Sequence, residues 1–261
     1  MSELNPLKAR LAAGLVSTSM VVRYSRSVEV ALVAKAAGFD SLYVDVEHAP
    51  LSLDQTSQIC VTARAAGVTP LVRVPAGRLD LVGRALDGGA LGVIVPHVTT
   101  VEDARRAVSA ARFPPHGTRS AAGAAIQLDY GPVAAGEANA RLNDATLVAL
   151  MIESADAVAA VADLAAVPGV DLLLVGANDL LGDLGVPGQY EHDKLAEAYA
   201  AVLDAGRRHG VPVGVGGLAT RLDLARRYVE RGARYVSVGT DIAFLLRGAR
   251  AARAELGGAP A

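Results

Sequence analysis

The sequence predicts an α/β protein built as one (β/α)8 barrel domain over residues 1–261, and three observations lead there. A local pattern recurs six times: a helix-like segment, a glycine, then a short β-branched or leucine-rich run. Those runs lack polar alternation, as strands of a parallel sheet buried on both faces do. Two further runs bring the total to eight strands in a chain of 261 residues with no break in composition. That favours a closed barrel over an open doubly wound sheet.

Taken in order, the first strand is read at Leu15 to Met20, starting near residue 13. Gly38 then closes a helix before the strand Leu42-Tyr43-Val44. Ser52-Leu53-Asp54-Gln55 fits a capping box that opens the next helix. Gly67 ends that helix before Leu71-Val72, and Gly89 precedes Val93-Ile94-Val95. The fifth strand is Leu147 to Ile152; Gly169 introduces Leu172 to Val175, Gly210 introduces Val211 to Val215, and Gly232 introduces Tyr235 to Val238. Strands two to eight are expected to start near 41, 70, 92, 147, 171, 211 and 234. Glycine suits each helix end because it takes positive φ without a Cβ clash. The departure from the repeat is residues 114–145, a long insertion between strands four and five, with Pro114-Pro115-His116-Gly117 and a helix expected near 132–143. Long loops on a barrel tend to carry function, so it is read as part of the rim of the site.

Bulk properties narrow the function classes. With 52% hydrophobic residues the chain can bury a sizeable core, and a net charge of -2 without runs of like charge points away from nucleic acid and anionic membranes. Arg226-Arg227 and the basic residues from Arg247 to Arg253 fall in helix-like patterns and read as solvated faces. Cys60 is the only cysteine, so no disulfide or thiolate metal site forms, which suits a reducing cytosol. Met1 to Ala12 lacks the apolar core of a signal peptide, and no stretch of ~20 apolar residues could span a bilayer. A soluble, cytoplasmic protein is expected.

In such barrels the active groups gather where strands end. Strand two ends in Asp45-Val46-Glu47-His48-Ala49-Pro50, strand three in Val72-Arg73-Val74-Pro75 and strand four in Pro96-His97. Strand five delivers Glu153-Ser154, strand six Gly176-Ala177-Asn178-Asp179, strand seven Gly214 to Gly217 and strand eight Gly239-Thr240-Asp241. Charged residues directly after buried strands are costly unless paired or bound. Glu153 and Asp179, on adjacent strands with no Cys or His beside them, suit a hard octahedral cation such as Mg2+ or Mn2+. Their bland alternatives are a salt bridge to an arginine for Glu153 and a helix N-cap for Asp179. Arg73 could stabilise an enolate oxygen, bind a carboxylate or simply form an ion pair at the mouth. His48 suits a general base, or is a packed loop residue. The three lysines, Lys8, Lys35 and Lys194, all lie away from strand ends, which excludes a Schiff-base aldolase.

From about residue 12 to 255 the chain resembles the HpcH/HpaI aldolases, class II enzymes acting on hydroxy keto acids. The likeness is carried by Tyr43 to Pro50, Val72 to Pro75, Phe113 to Arg119, Met151 to Ser154, Gly176 to Leu180 and Val236 to Asp241, six segments in order at matching intervals. The resemblance implies a barrel of the phosphoenolpyruvate/pyruvate type that cleaves a 4-hydroxy-2-oxo acid through an enolate, giving pyruvate or a close 2-oxo acid and an aldehyde. It implies Glu153 and Asp179 as ligands of a divalent metal (Mg2+, Mn2+ or Co2+) and Arg73 on the keto or enolate oxygen. It implies His48 in proton transfer, supported by Asp87 with Asp45 nearby, and backbone amides at Asn178 and Asp179, after Gly176, as the seat of the carboxylate. It further implies a homohexamer, a trimer of dimers, with sites at subunit interfaces and the last helix packed on a neighbour.

Two positions depart from the pattern. Met151 stands where many members carry Gln, and Gly-Ala-Asn-Asp replaces Gly-Pro-Ala-Asp, so the substrate pocket is altered more than the reaction. His97 falls where relatives vary and either reads the aldehyde half or packs. Two rival readings are a CoA-thioester lyase of the citrate or malyl-CoA type, for which no basic patch or added domain is visible, and a non-catalytic barrel that binds a small acid. The identity of the aldehyde is not legible; the 114–145 insertion and a neighbouring subunit are expected to read it.

Overall fold

The computed structural model describes residues 4–257. The chain opens with α1 (Pro6–Ala12) and then alternates: β1 (Ser17–Val22), α2 (Glu29–Ala36), β2 (Ser41–Asp45), α3 (Leu53–Ala65), β3 (Thr69–Arg73), α4 (Asp80–Asp87) and β4 (Gly92–Val95). After α5 (Val101–Ala111) come a single 3-10 turn (Ile126–Leu128), α6 (Ala135–Ala145) and β5 (Leu147–Ile152). The second half runs α7 (Ala155–Ala159), α8 (Val161–Ala165), β6 (Leu172–Gly176), α9 (Ala177–Asp183), α10 (Asp193–His209), β7 (Val213–Gly216), α11 (Leu222–Glu230), β8 (Tyr235–Thr240) and α12 (Asp241–Glu255). The eight strands are parallel, pair in chain order, and close through β8 on β1.

Two apolar layers sustain the closure. Inside the barrel lie Val21, Tyr43, Leu71, Ile94, Leu147, Ala149, Met151, Leu172, Leu174 and Tyr235, while a larger layer fills the space between strands and helices. This alternation explains why the strands read as continuous apolar runs: both of their faces are buried. All six helix-ending glycines, Gly38, Gly67, Gly89, Gly169, Gly210 and Gly232, have positive φ. The capping box is present at Ser52 and Gln55.

Three details differ from the sequence reading. β1 begins at Ser17 rather than near 13, because Leu15 and Val16 are 49% and 38% exposed whereas the small polar Ser17 and Ser19 are wholly buried. Apolar character pointed to the wrong end of that strand. α1 was not foreseen; Leu7 and Leu11 join the inner layer, and the Leu7 amide donates to Thr69 Oγ1 at the start of β3, so this helix plugs the N-terminal end of the barrel. The 114–145 insertion does not rim the C-terminal mouth of its own barrel. Gln127 donates to the carbonyls of Leu86 and Ala90, just before β4, Arg64 pairs with Asp129, and Leu128 packs with Leu142 of α6. Its apolar residues and its paired glutamine hold it at the opposite end.

Candidate active site

The C-terminal mouth opens into a cavity of about 230 Å3 lined by strand-end residues, among them Arg23, His48, Arg73, Met151, Gly176, Asn178, Asp179 and Thr240. Its floor is the top of the inner layer, where Tyr43, Met151 and Leu174 meet. The Met151 sulfur lies 3.9 Å from Tyr43 Oη and 3.8 Å from Arg73 Nη1, so the thioether fills the gap between phenol and guanidinium.

One wall is built around Asp45, which is completely buried. Arg73 donates to it from Nε at 3.0 Å and from Nη2 at 2.6 Å, and Arg23 Nε donates at 2.7 Å. The backbone amides of Glu47 and His48 donate to Oδ1. Burial alone would raise this carboxyl; the Arg73 hydrogen bonds and the charges of both arginines outweigh it and hold Asp45 below the usual carboxylate range. Asp45 holds Arg73 and the His48 backbone amide in place. Arg73 Nη1 also stands 3.0 Å from Glu47 Oε2, an ion pair whose angles fall short of a hydrogen bond. The ion-pair alternative for Arg73 is thus real, and the same pairing fixes its guanidinium at the cavity wall. His48, beside it, keeps a side chain 51% exposed and 3.7 Å from Glu47 Oε2.

Across the mouth, Met151, Gly176, Asn178 and Asp179 line the cavity, with Glu153 directly behind Gly176. Glu153 has a side chain 2% exposed; Oε1 accepts from the His97 amide at 2.7 Å and lies 3.1 Å from His97 Nδ1. His97 adopts positive φ to make that approach. Oε2 has no partner at all. Burial pushes the Glu153 carboxyl above its ordinary value, the His97 amide and ring work against the rise, and the negative charge of nearby Asp179 adds to it. A Cβ built on Gly176 would come within 2.7 Å of Oε2, so glycine is what leaves space in front of the orphaned oxygen. Asp179 sits in the first turn of α9 without capping it, which removes its N-cap alternative, and Gly176 is the cap residue. Gly217, at φ +78°, keeps clear the approach to the first-turn amides; a Cβ there would stand 3.0 Å from Asn178 N. The Asn178 side chain accepts from Tyr190 Oη at 2.8 Å. Among the described residues no three His, Cys, Asp or Glu side chains converge as a metal cage. Two carboxylates, one with a buried unpaired oxygen, nevertheless fit a hard divalent cation that keeps water and substrate oxygens as its other ligands.

Asp87 does not join this cavity. It ends α4 and pairs with Arg119 at 2.7 Å, 45% exposed, beside the insertion. Lys8, Lys35 and Lys194 are likewise absent from the lining. One contributor was missed in the sequence. Arg23 directly follows β1, and an expected strand end at Met20 hid it. Asp241 accepts from the amides of Arg23, Tyr24 and Ser25, tying the loop after β1 to the start of α12.

Comparison with known proteins agrees with this geometry. Residues 19–247 match the family model described as HpcH/HpaI aldolase/citrate lyase. A 4-hydroxy-4-methyl-2-oxoglutarate aldolase of Hapsidospora irregularis is 39% identical over 94% of this chain and 92% of its own length. A 2-dehydro-3,6-dideoxy-6-sulfogluconate aldolase of Pseudomonas putida is 36% identical over 85% and 86%. The crystal structure of an HpcH/HpaI aldolase from Desulfitobacterium hafniense superposes with a TM-score of 0.90 at 33% identity, covering 97% of each chain. A (β/α)8 barrel with this mouth and these relatives is a carbon–carbon lyase, and the chain belongs to the HpcH/HpaI aldolase/citrate lyase family.

Proposed function

We propose that this protein cleaves the C3–C4 bond of a 4-hydroxy-2-oxo acid to pyruvate, or a close 2-oxo acid, plus an aldehyde, and catalyses the reverse addition. One observation carries the reading: Glu153 Oε2 is buried and unpaired where Gly176 leaves room, with Asp179 close enough to raise the Glu153 carboxyl. Glu153 and Asp179 would hold Mg2+, Mn2+ or Co2+, which when bound supplies Lewis-acid polarisation of the 2-oxo group.

The remaining work falls to the chain itself. First-turn amides at Asn178 and Asp179, kept accessible by Gly217, receive the substrate carboxylate. His48, exposed to the cavity, takes the C4 hydroxyl proton. Arg73, held at a fixed angle by Asp45, faces the negative charge that develops as the bond breaks, and it needs no reorganisation to do so. Met151 closes the floor with a thioether.

The homohexamer, a trimer of dimers, is part of the proposal. Asp87 faces Arg119 within its own protomer, so its support for His48 comes across a subunit boundary. Ile242, Leu245 and Leu246 of α12 are exposed, which supports packing of that helix on a neighbour. Cys60 is buried and unpaired, in keeping with a cytoplasmic enzyme. Among the described residues no helix is long and apolar enough to cross a membrane.

The test is metal-dependent exchange of the C3 protons of pyruvate, followed by NMR in deuterated water, alongside cleavage of 4-hydroxy-2-oxo acids with Mg2+, Mn2+ and Co2+. Both activities are expected to vanish with a chelator and in Glu153→Gln. Undiminished turnover in Glu153→Gln would sink the assignment.

A further inference from the structure

We infer that His97 is a positioning residue that occupies one oxygen of Glu153, leaves the other as the single donor for a cation, and thereby favours Mg2+ and Mn2+ over Ca2+. The inference rests on Glu153 and Asp179 as the cation site and deepens that reading by assigning the source of its selectivity.

The two oxygens of Glu153 stand in different surroundings. Oε1 is held twice by one residue: it accepts from the His97 backbone amide at 2.7 Å and lies 3.1 Å from Nδ1 of the same imidazole. Oε2 is buried without a partner, in front of the space that Gly176 leaves. Turning the carboxylate to bring Oε1 forward would break both contacts, inside a pocket where the Glu153 side chain is 2% exposed.

The hold on Oε1 is built into the backbone. β4 pairs with β5 side by side, with Val95 opposite Leu150, so the turn after β4 falls beside the end of the strand that carries Glu153. In that turn His97 takes φ +53°, a left-handed conformation that a side chain with a Cβ adopts only at a cost. It brings amide and ring to the same oxygen. On its far edge the ring is braced as well: Nε2 lies 3.7 Å from Glu47 Oε1, which accepts from the Ala76 amide, and Glu47 Oε2 stands 3.0 Å from Arg73 Nη1. A half-exposed imidazole between two buried carboxylates has one favoured orientation.

The chemistry of selection follows from the number of oxygens on offer. Ca2+ accepts carboxylates through both oxygens and tolerates irregular shells, whereas Mg2+ demands a compact octahedron that keeps several waters and takes few protein oxygens. Mn2+ favours the same hard octahedral set. A Glu153 free to rotate offers either mode; one held by His97 offers Oε2 alone.

The experiment measures Mn2+ binding to the intact protein by the EPR signal of the free ion, and Mg2+ and Ca2+ binding by displacement of Mn2+. Loss of Mn2+ binding in Glu153→Gln is expected and places the ion at this site. His97→Gly keeps the positive φ and the backbone amide but removes the ring. It should weaken Mn2+ and Mg2+ by about tenfold, as loss of a partner to a ligating carboxylate does, and change Ca2+ by less than about twofold. His97→Asn also tolerates positive φ and should narrow the Mg2+ preference in the same direction, so the answer does not hang on one variant. His97→Val resists that conformation, withdraws the amide too, and should abolish the preference. An unchanged preference in His97→Gly and His97→Asn, or equal weakening of all three ions, overturns the inference; Mn2+ binding by the wild type and not by Glu153→Gln then leaves the cation site standing. A wild type that binds none of the three ions, or Glu153→Gln that binds them undiminished, removes both.

Discussion

Asp45 illustrates how one residue sets the electrostatics of a site. It is wholly buried, and two guanidiniums and two amides converge on it. Burial pushes its carboxyl up, Arg73 pulls it further down, and the net folded value lies below the unfolded one. Its contribution to stability is therefore complete above the ordinary carboxylate value of about 3.9 and is lost as pH falls through the lower folded value. Asp45→Asn should cost about 3 kcal/mol at neutral pH, since it leaves Arg73 short of its main partner. Thermal melts across pH should show that deficit shrinking below about pH 4; parallel curves for the two proteins would contradict the pairing. Glu153 presents the opposite balance, a buried anion with one oxygen unpaired. In chelator, Glu153→Gln should melt no lower than wild type, because the buried charge is gone. Added Mn2+ should raise the melting temperature of the wild type alone.

Elements matter here mainly for what their ends expose. α9 is short and uncapped by any side chain, and the glycines before and beside it keep its first turn open. Gly217→Ala places a methyl group against Asn178 N at a φ of +78°. It should destabilise the fold by about 1 kcal/mol and raise KM for the oxo acid more than it lowers kcat. A rise in neither, measured by melting and steady-state kinetics, would show that the approach to α9 is not the carboxylate seat. α3 obeys purely local rules: Ser52 and Gln55 cap each other's backbone, and Ser52→Ala should cost about 1 kcal/mol with activity retained.

At the scale of the molecule, the proposed assembly accounts for an exposed apolar helix face. Ile242, Leu245 and Leu246 on α12 are exposed, Leu245 to 68%. Asp87 and the 114–145 insertion stand at the end of the barrel away from the mouth. If the proposed hexamer forms, Leu245→Glu should shift light-scattering mass to smaller species and lower activity together, because the proposal has protomers share the site. A monomeric wild type with full activity would refute the assembly and the route by which Asp87 reaches His48.

The eight strands, their chain order and six helix-ending glycines were legible in the residues alone, because burial on both faces and positive φ each leave a local compositional mark. So were Glu153, Asp179, Arg73 and His48, since charge placed directly after an apolar run is conspicuous. What required tertiary structure was everything set by closure of the ring. β1 carries buried serines whose position depends on β8, α1 is too short to show more than its Asn5-Pro6 start and the pair Leu7 and Leu11, and Arg23 became visible only when β1 was seen to run to Val22. The end of the barrel on which an insertion lies depends on long-range bonds such as that of Gln127 to Ala90. Local sequence specifies which segments are strands and where charge interrupts them; which charges face one another is decided by the closed sheet, because partners such as Asp45 and Arg73 meet only when strands pair side by side.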